Sequence, residues 1–140
     1  MYEGDTLSLR RGWDATLRVV EVLGRGGVGF LVGTDFDNAF VYPGADVHQE
    51  MELLVEAGLT PLQALQAATM NPAQALGLSD SHGTVEASKF ADLVLLDANP
   101  LDDIANTQAI HAVVLNGRLL RRSDLDALRA GVFPASEVDP

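Results

Sequence analysis

Hydrophobic residues follow one spacing in the first part of the chain and another in the last part. Between Trp13 and Leu23 they recur every three or four positions with charged residues between them, which predicts an amphipathic helix. The run at 28–32 is short and apolar throughout, which is typical of a strand covered on both faces in a parallel α/β sheet. Residues 33–45 contain Gly, Asn, Asp and Pro and are predicted to form a loop.

Three short helices are predicted between residues 46 and 77, because signals for helix starts recur there. Asp46 with Gln49 predicts a capping box. The sequence TPLQ at 60–63 offers a capping threonine, a proline at the first helical position and a glutamine three residues after the cap. NPAQ at 71–74 repeats this arrangement for a shorter helix. Gly58 and Gly77 stand where the first and the last of these helices are expected to end.

The last part of the chain is predicted to be a set of short strands. Asn116-Gly117 is the strongest short signal for a β-hairpin, and apolar runs flank it on both sides. Ser123 is predicted to cap a final short helix that ends at Gly131, and the tail from Phe133 is expected to be frayed. The strands are predicted at 83–86, 91–97, 110–115 and 118–120.

This order of elements predicts an α/β fold with an all-β part after it. A single strand of the parallel type cannot form a sheet, and its backbone groups need neighbours on both sides. The first half is therefore expected to be the last part of a larger unit.

Composition and charge exclude several classes of function. The net charge of −11 repels phosphate backbones, so nucleic acid is not an expected partner. No apolar run approaches the length of a membrane span, so no membrane partner is expected either. The absence of cysteine excludes disulfides and thiolate metal sites and fits a reducing cytosol, so a cytoplasmic location is expected.

Asp35 is the first candidate for chemistry. It follows the predicted strand directly, and function in β/α folds sits at the carboxyl ends of strands, where a carboxylate can bind a metal or move a proton. The alternative is that Asp35 only caps the loop through nearby backbone N–H groups. His48 lies near the start of the next helix. Its side chain either faces the same end of the strand as Asp35 or lies on the surface. His82 and His111 are predicted to be structural or exposed.

Four stretches of the sequence resemble the C-terminal part of metal-dependent amidohydrolases, in the imidazolonepropionase-like and dipeptidase-like branch. They keep the same order over most of the chain. The stretches are GTD at 33–35, PGADVHQEMELLVEAGLTPLQALQAATMNPAQALGL at 43–78 (first residue Pro43), GTVEASKFADLVLLDANPLDDI at 83–104 and VVLNGRLL at 113–120.

The resemblance implies a division of the chain and a role for its candidate residues. Residues 1–80 would be the end of a (β/α)8 TIM-type barrel, 81–123 part of a small flanking β-sandwich, and 124–140 a C-terminal helix and tail. Asp35 would end the last barrel strand as metal ligand and catalytic proton acceptor. His48 and Glu50 would lie at the rim of the substrate pocket. Ser88 stands where the family usually has glycine, which implies some strain if that turn needs a positive φ.

The resemblance also implies that most of the metal ligands lie upstream of this chain. The parent enzyme would use a divalent metal, most simply zinc, to hydrolyse a C–N bond in a small amide, cyclic amide or dipeptide. The chain alone is expected to be an inactive fragment without bound metal. The alternative is a non-catalytic oligomerisation or binding module. The exposed apolar strand edges of the incomplete barrel predict self-association.

Overall fold

A computed structural model of the chain describes residues 3–36, 39 and 41–132. These residues form five α-helices, one 3-10 helix and a three-stranded antiparallel sheet, so the α/β class is confirmed for the part described. No helix in this part is both long and apolar enough to cross a lipid bilayer. In chain order the elements are α1 (Glu3–Arg25), α2 (Ala45–Glu56), α3 (Pro61–Ala68), α4 (Met70–Ala75), β1 (Leu93–Leu96), the 3-10 helix (Ile104–Gln108), β2 (Ile110–Leu115), β3 (Arg118–Arg121) and α5 (Arg122–Val132).

Helix α1 begins ten residues before the predicted start at Trp13. The segment before Trp13 is polar and has no clear hydrophobic period, which is why the pattern did not indicate a helix there. Leu17 and Val20 are half-buried, whereas Val19 and Val22 face solvent. Helix α1 therefore lies against the rest of the molecule with one narrow side only.

The strand predicted at 28–32 is wrong for the described residues. The segment is extended, but it pairs with no strand among them. Its backbone instead bonds to the helices, since Val32 N donates to Ala67 O at 2.8 Å and the amide of Asn71 donates to Phe30 O at 3.0 Å. No barrel is seen in this part of the chain, because the strands that would flank this segment are not among the described residues.

Of the three predicted helix starts, the capping box at Thr60 is confirmed, and the caps at Asp46 and Asn71 are wrong. Helix α4 begins at Met70, before Asn71, and has no side-chain cap. Thr60 Oγ1 accepts from Gln63 N, and Gln63 Oε1 accepts from Thr60 N at 2.8 Å, so both orphan donors are satisfied. Helix α2 has Gly44 as its N-cap and no side-chain cap. Asp46 Oδ2 instead accepts from Tyr42 N at 2.7 Å, which ties down the loop that enters the helix.

The sheet has the order β1-β2-β3, with a bulge between Leu95 and Leu96. Asn116 and Gly117 have φ of 50° and 77°, as the predicted two-residue hairpin turn requires. The strand predicted at 83–86 is wrong, since this segment is irregular. Gly83 has φ of 91° there and packs so closely on α4 that a Cβ would lie 2.7 Å from that of Ala73.

Helix α5 begins earlier and ends later than predicted. It starts at Arg122, so Ser123 lies inside its first turn, and Asp124 Oδ2 accepts from Arg121 N at 2.8 Å in place of the predicted cap. The helix continues through Gly131 to Val132, because a single glycine weakens a helix without necessarily ending it. The predicted frayed tail from 133 lies outside the described residues.

The best packed part of the molecule is formed by α2, α3 and the 3-10 helix. Met51, Ala64 and Ile104 form its centre, and half-buried Val32, Val47 and Leu65 pack against it. The core therefore joins the helical part to the connection between β1 and β2, and it receives the end of the extended segment that leads to Asp35.

Candidate functional site

Asp35 is an exposed residue just beyond the extended segment. Its φ of 52° is in the left-handed region, where non-glycine residues are uncommon and aspartate is among those that tolerate it. The apolar segment therefore ends with a sharp change in chain direction at the carboxylate, and the side chain lies on the outside of the described structure rather than within its core.

Glu50 holds the backbone that leads to Asp35. Both of its carboxylate oxygens lie 3.1 Å from Gly33 N, which donates to them. Because Glu50 is on α2, this bond fixes the end of the extended segment to a packed helix. The contact joins residues 17 positions apart, so no local pattern in the sequence indicates it.

His48 lies on a different side of α2 from Glu50. Residues two positions apart on a helix point about 200° apart. His48 Nδ1 lies 3.0 Å from Thr107 Oγ1, and that hydroxyl donates its only proton to Ile104 O at 2.9 Å. His48 must therefore donate from Nδ1. Thr107 is only 5% exposed, so this bond satisfies a buried hydroxyl. Glu50 thus contacts the segment that contains Asp35, whereas His48 contacts the 3-10 helix.

A cavity of about 710 Å³ lies between the helices and β1. Its lining is mostly apolar and includes Met51, Leu65 and Phe90, together with His48 and His82. No pattern in the sequence indicates this cavity. Asp35 and Glu50 are not among its lining residues, so the cavity and the exposed carboxylate are separate features.

The other two histidines have local partners. His82 Nδ1 lies 2.8 Å from Ser81 Oγ, and its ring centroid is 5.0 Å from that of Phe90. His111 Nδ1 forms an exposed pair with Asp97 Oδ1 at 2.8 Å. These contacts agree with the structural or exposed roles predicted for both.

The described residues do not by themselves form a metal site. Among them, no three His, Asp or Glu side chains lie close enough together to hold an ion. A catalytic zinc needs about three protein ligands. Asp35 fits as one carboxylate ligand of such a site, but the donor set of this part of the chain does not complete it.

Comparisons with known proteins match most of the chain to one family. The sequence profile of the amidohydrolase family matches residues 7–120. An imidazolonepropionase from Christiangramia forsetii is 32% identical over 98 residues, which are 64% of this chain and 23% of that protein. An ochratoxinase from Aspergillus niger is 33% identical over 102 residues, which are 71% of this chain and 20% of that protein.

A solved structure extends this agreement to three dimensions. The crystal structure of a Xaa-Pro dipeptidase with bound methionine in its active site superposes with a TM-score of 0.67 at 30% identity. The match covers 75% of this chain and 25% of the dipeptidase chain. The chain thus spans about a quarter, at most, of the length of these relatives. Because the family profile covers most of its residues, the chain belongs to the amidohydrolase family.

Proposed function

We propose that this chain is the C-terminal part of a metal-dependent amidohydrolase, in which Asp35 is a metal ligand and the acceptor of a proton. The observation that carries the proposal is the position of Asp35. The family match spans it, and it is an exposed carboxylate on a backbone that Glu50 holds to α2. A group that exchanges protons with a substrate must be both accessible and held in place.

The reaction is the hydrolysis of a C–N bond in a small amide, cyclic amide or dipeptide. The related Xaa-Pro dipeptidase is named for a dipeptide substrate, which supports this class. A bound divalent cation, zinc in the simplest case, would lower the pKa of a water molecule. Asp35 accepts the proton of the attacking water as the tetrahedral intermediate forms. Glu50 acts as a positioning residue, because the hydrogen bond that it accepts from Gly33 N holds the backbone two residues before Asp35.

The chain alone is inactive in this proposal. The described residues offer Asp35 but no cluster of three ligands around it. The remaining ligands then come from parts of the protein outside the described residues. His48 is directed away from this point, because it contacts Thr107 of the 3-10 helix and lies on a different side of α2 from Glu50.

The test is Asp35→Asn in the full-length protein that contains this chain. The substitution keeps the size of the side chain but removes its charge and most of its basicity. We expect turnover to fall by roughly 10²–10⁴-fold, the usual contribution of a general base. Circular dichroism should be unchanged, because asparagine has the size of aspartate and tolerates the positive φ of this position equally well. Asp102→Asn, another exposed aspartate, is the matched control and should retain full turnover.

Metal analysis separates the two roles of Asp35. The variant of the full-length protein should contain less zinc than the wild type if Asp35 is a ligand. The isolated 140-residue chain should hold no stoichiometric zinc. Unchanged turnover in Asp35→Asn would overturn the proposal, and so would zinc bound tightly by the isolated chain without any contribution from Asp35.

A second candidate function is a non-catalytic binding or oligomerisation module. The observation that favours it is the number of large hydrophobic side chains left in solvent on the sheet, among them Val94, Leu95, Leu115 and Leu119. A module of this kind would need no metal and would be recognised by its assembly rather than by turnover.

A further inference from the structure

The first two turns of α2 are held by hydrogen bonds on opposite sides of the helix. On one side Glu50 accepts from Gly33 N, which lies 3.1 Å from each of its carboxylate oxygens. On the other side His48 Nδ1 donates to Thr107 Oγ1 at 3.0 Å. Residues 48 and 50 point about 200° apart but lie only about 3 Å apart along the helix axis. Any sideways movement of this part of α2 relative to the 3-10 helix therefore changes the contact with Gly33.

The start of α2 needs such contacts because its cap has no side chain. The N-cap is Gly44, which offers no side-chain oxygen to the free N–H groups of the first turn. The carboxylate of Asp46 bonds to Tyr42 N in the preceding loop instead of capping the helix. The position of the helix start is therefore set by bonds to other parts of the chain. In the bond between His48 and Thr107, the threonine is 5% exposed, so water has little access to replace it.

The 3-10 helix gives Thr107 a fixed position. It connects β1 with β2, which pair with each other in the sheet. Asp103 caps its start, since Asp103 Oδ1 accepts from Ala105 N at 3.0 Å. Ile104 is buried in the core, and its carbonyl oxygen accepts from the Thr107 hydroxyl at 2.9 Å. The hydroxyl that accepts from His48 is thus held by the sheet connection and by the core.

We propose that His48 and Thr107 are positioning residues for Asp35, so that the connection between β1 and β2 takes part in catalysis through α2. Their role rests on the proposed function, in which Asp35 binds the metal and accepts a proton. The contacts run from Thr107 to His48, along α2 to Glu50, and from Glu50 to Gly33, two residues before Asp35. The small β-part of the chain therefore does more than stabilise the fold.

A displaced Asp35 should lower kcat and leave KM nearly unchanged. Asp35 acts on the metal and on the attacking water, so its misplacement weakens an interaction of the transition state rather than the binding of the substrate. In metal sites, loss of a hydrogen bond behind a ligand lowers activity or metal affinity by about 10–100-fold. Because α2 lies between Thr107 and Asp35, we expect the lower end of this range, a fall in kcat of about tenfold.

The experiment compares Thr107→Val with Thr107→Ser in the full-length protein that contains this chain. Valine keeps the shape of threonine but has no hydroxyl, so the N–H of His48 loses its acceptor. Serine keeps the hydroxyl and loses a methyl group. With the metal in excess, kcat should fall about tenfold in Thr107→Val at unchanged KM. Thr107→Ser should keep a kcat close to that of the wild type.

Two further variants are controls for changes that leave the bond between His48 and Thr107 in place. Ile104→Val removes one methyl-sized group from the core within the same 3-10 helix, so it lowers stability without removing the hydroxyl. Gln108→Ala removes the exposed bond from Gln108 Nε2 to Glu52 Oε1, which water can replace. Both should keep kcat within about twofold of the wild type when it is measured well below the unfolding temperature.

Hydrogen exchange follows the same contacts without any use of turnover. The N–H of Gly33 is protected by its bond to Glu50, and mass spectrometry of overlapping peptides across residues 30–36 gives its exchange rate. The rate should rise by roughly 2–30-fold in Thr107→Val, the range of coupling between connected sites. It should keep its wild-type value in Thr107→Ser and Ile104→Val.

A double variant tests whether Thr107 acts through Glu50. Glu50→Ala should by itself speed the exchange of Gly33, because it removes the acceptor. Adding Thr107→Val to Glu50→Ala should then have no further effect on that rate. Additive effects of the two substitutions would show that they act independently, and the proposed order of contacts would be wrong.

Other outcomes would also overturn the proposal. One is an unchanged kcat in Thr107→Val when Asp35→Asn loses most of its turnover. Another is an equal fall of kcat in Thr107→Ser or Ile104→Val, since lost packing would then explain the effect. Unchanged exchange of Gly33 in Thr107→Val would show that the 3-10 helix does not hold this segment. Full turnover in Asp35→Asn would instead refute the proposed function and the catalytic role of Thr107 with it, whatever the exchange rates show.

Discussion

Residues 3–36 and residues 45–121 differ sharply in packing. The buried hydrophobic residues, from Met51 to Ala112, all belong to the second region. Of the side chains described between 8 and 36, none is fully buried. The free energy of folding therefore resides mainly in the second region, whereas the candidate catalytic carboxylate, Asp35, belongs to the first.

The difference shows how the first region obtains its position. Three hydrogen bonds tie the extended segment to the helices of the second region. They run from Val32 N to Ala67 O, from the amide of Asn71 to Phe30 O, and from Gly33 N to Glu50. An exposed segment held at discrete points can present a reactive group without having a core of its own. This is the usual relation between a functional loop and its scaffold.

The first prediction tests where the stability resides. Met51 is 4% exposed at the centre of the core, so Met51→Ala should lower the free energy of unfolding by about 3 kcal/mol. Val22 on α1 is 62% exposed, and Val22→Ala should change it by no more than about 0.5 kcal/mol. Urea unfolding followed by circular dichroism gives both values. If both variants lost the same free energy of unfolding, the two regions would not differ in their contribution to stability.

The second prediction compares one glycine from each region. Gly27 and Gly83 both have positive φ, so alanine is strained at either position by about 1 kcal/mol. A Cβ at Gly27 meets no atom within 4 Å, whereas at Gly83 it would lie 2.7 Å from the Cβ of Ala73. Gly83→Ala should therefore cost about 2 kcal/mol more than Gly27→Ala, because α4 must move away.

Thermal or urea unfolding of the two alanine variants gives this difference directly. A smaller substitution than alanine does not exist, so the pair isolates the contact with Ala73 as cleanly as the chain allows. If the two variants lost the same free energy, the close approach of residue 83 to α4 would not contribute to stability.

The elements that the sequence predicted correctly depend on local chemistry. Thr60 and Gln63 satisfy each other's backbone within one helical turn. Asn116 and Gly117 adopt the positive φ angles for which such residues are suited, and Ser88, where the resemblance implied strain, has φ of 74°. The capping box and the hairpin turn need no distant partner, so the residue types alone were sufficient to indicate them, whereas only the resemblance indicated the positive φ of Ser88.

The predictions that were wrong needed information from elsewhere in the chain. A strand at 28–32 requires lateral neighbours, and an apolar run does not say whether they are present. The carboxylate of Asp46 could accept a hydrogen bond either from its own helix or from the loop before α2. It accepts from Tyr42 N in the loop. Whether a polar residue caps its own helix or a neighbouring turn depends on the path of the incoming chain.

The candidate site was also predicted only in part. The end of the apolar run indicated Asp35, and the structure places it in an exposed position. Its role as ligand and proton acceptor stays a prediction, as does the position of His48 and Glu50 at a pocket rim. The bond from Gly33 to Glu50 and that from His48 to Thr107 span 17 and 59 residues. A single sequence carries no signal for contacts of that kind.

The smallest expected effect concerns the exposed turn before β1. A hydrogen bond from the Thr84 hydroxyl and the nearby charge of Lys89 lower the pKa of Glu86 below its usual value of 4.5. A carboxyl whose pKa falls on folding stabilises the fold above its ordinary pKa. That contribution is lost as the pH drops through the lowered value. Glu86→Gln should therefore destabilise the chain slightly at about pH 7 and by less at about pH 3. Urea midpoints at both pH values test this, with Glu56→Gln on α2 as the control for a lost surface charge. The same pH dependence in both variants would show that the contacts of Glu86 with Thr84 and Lys89 do not stabilise the turn.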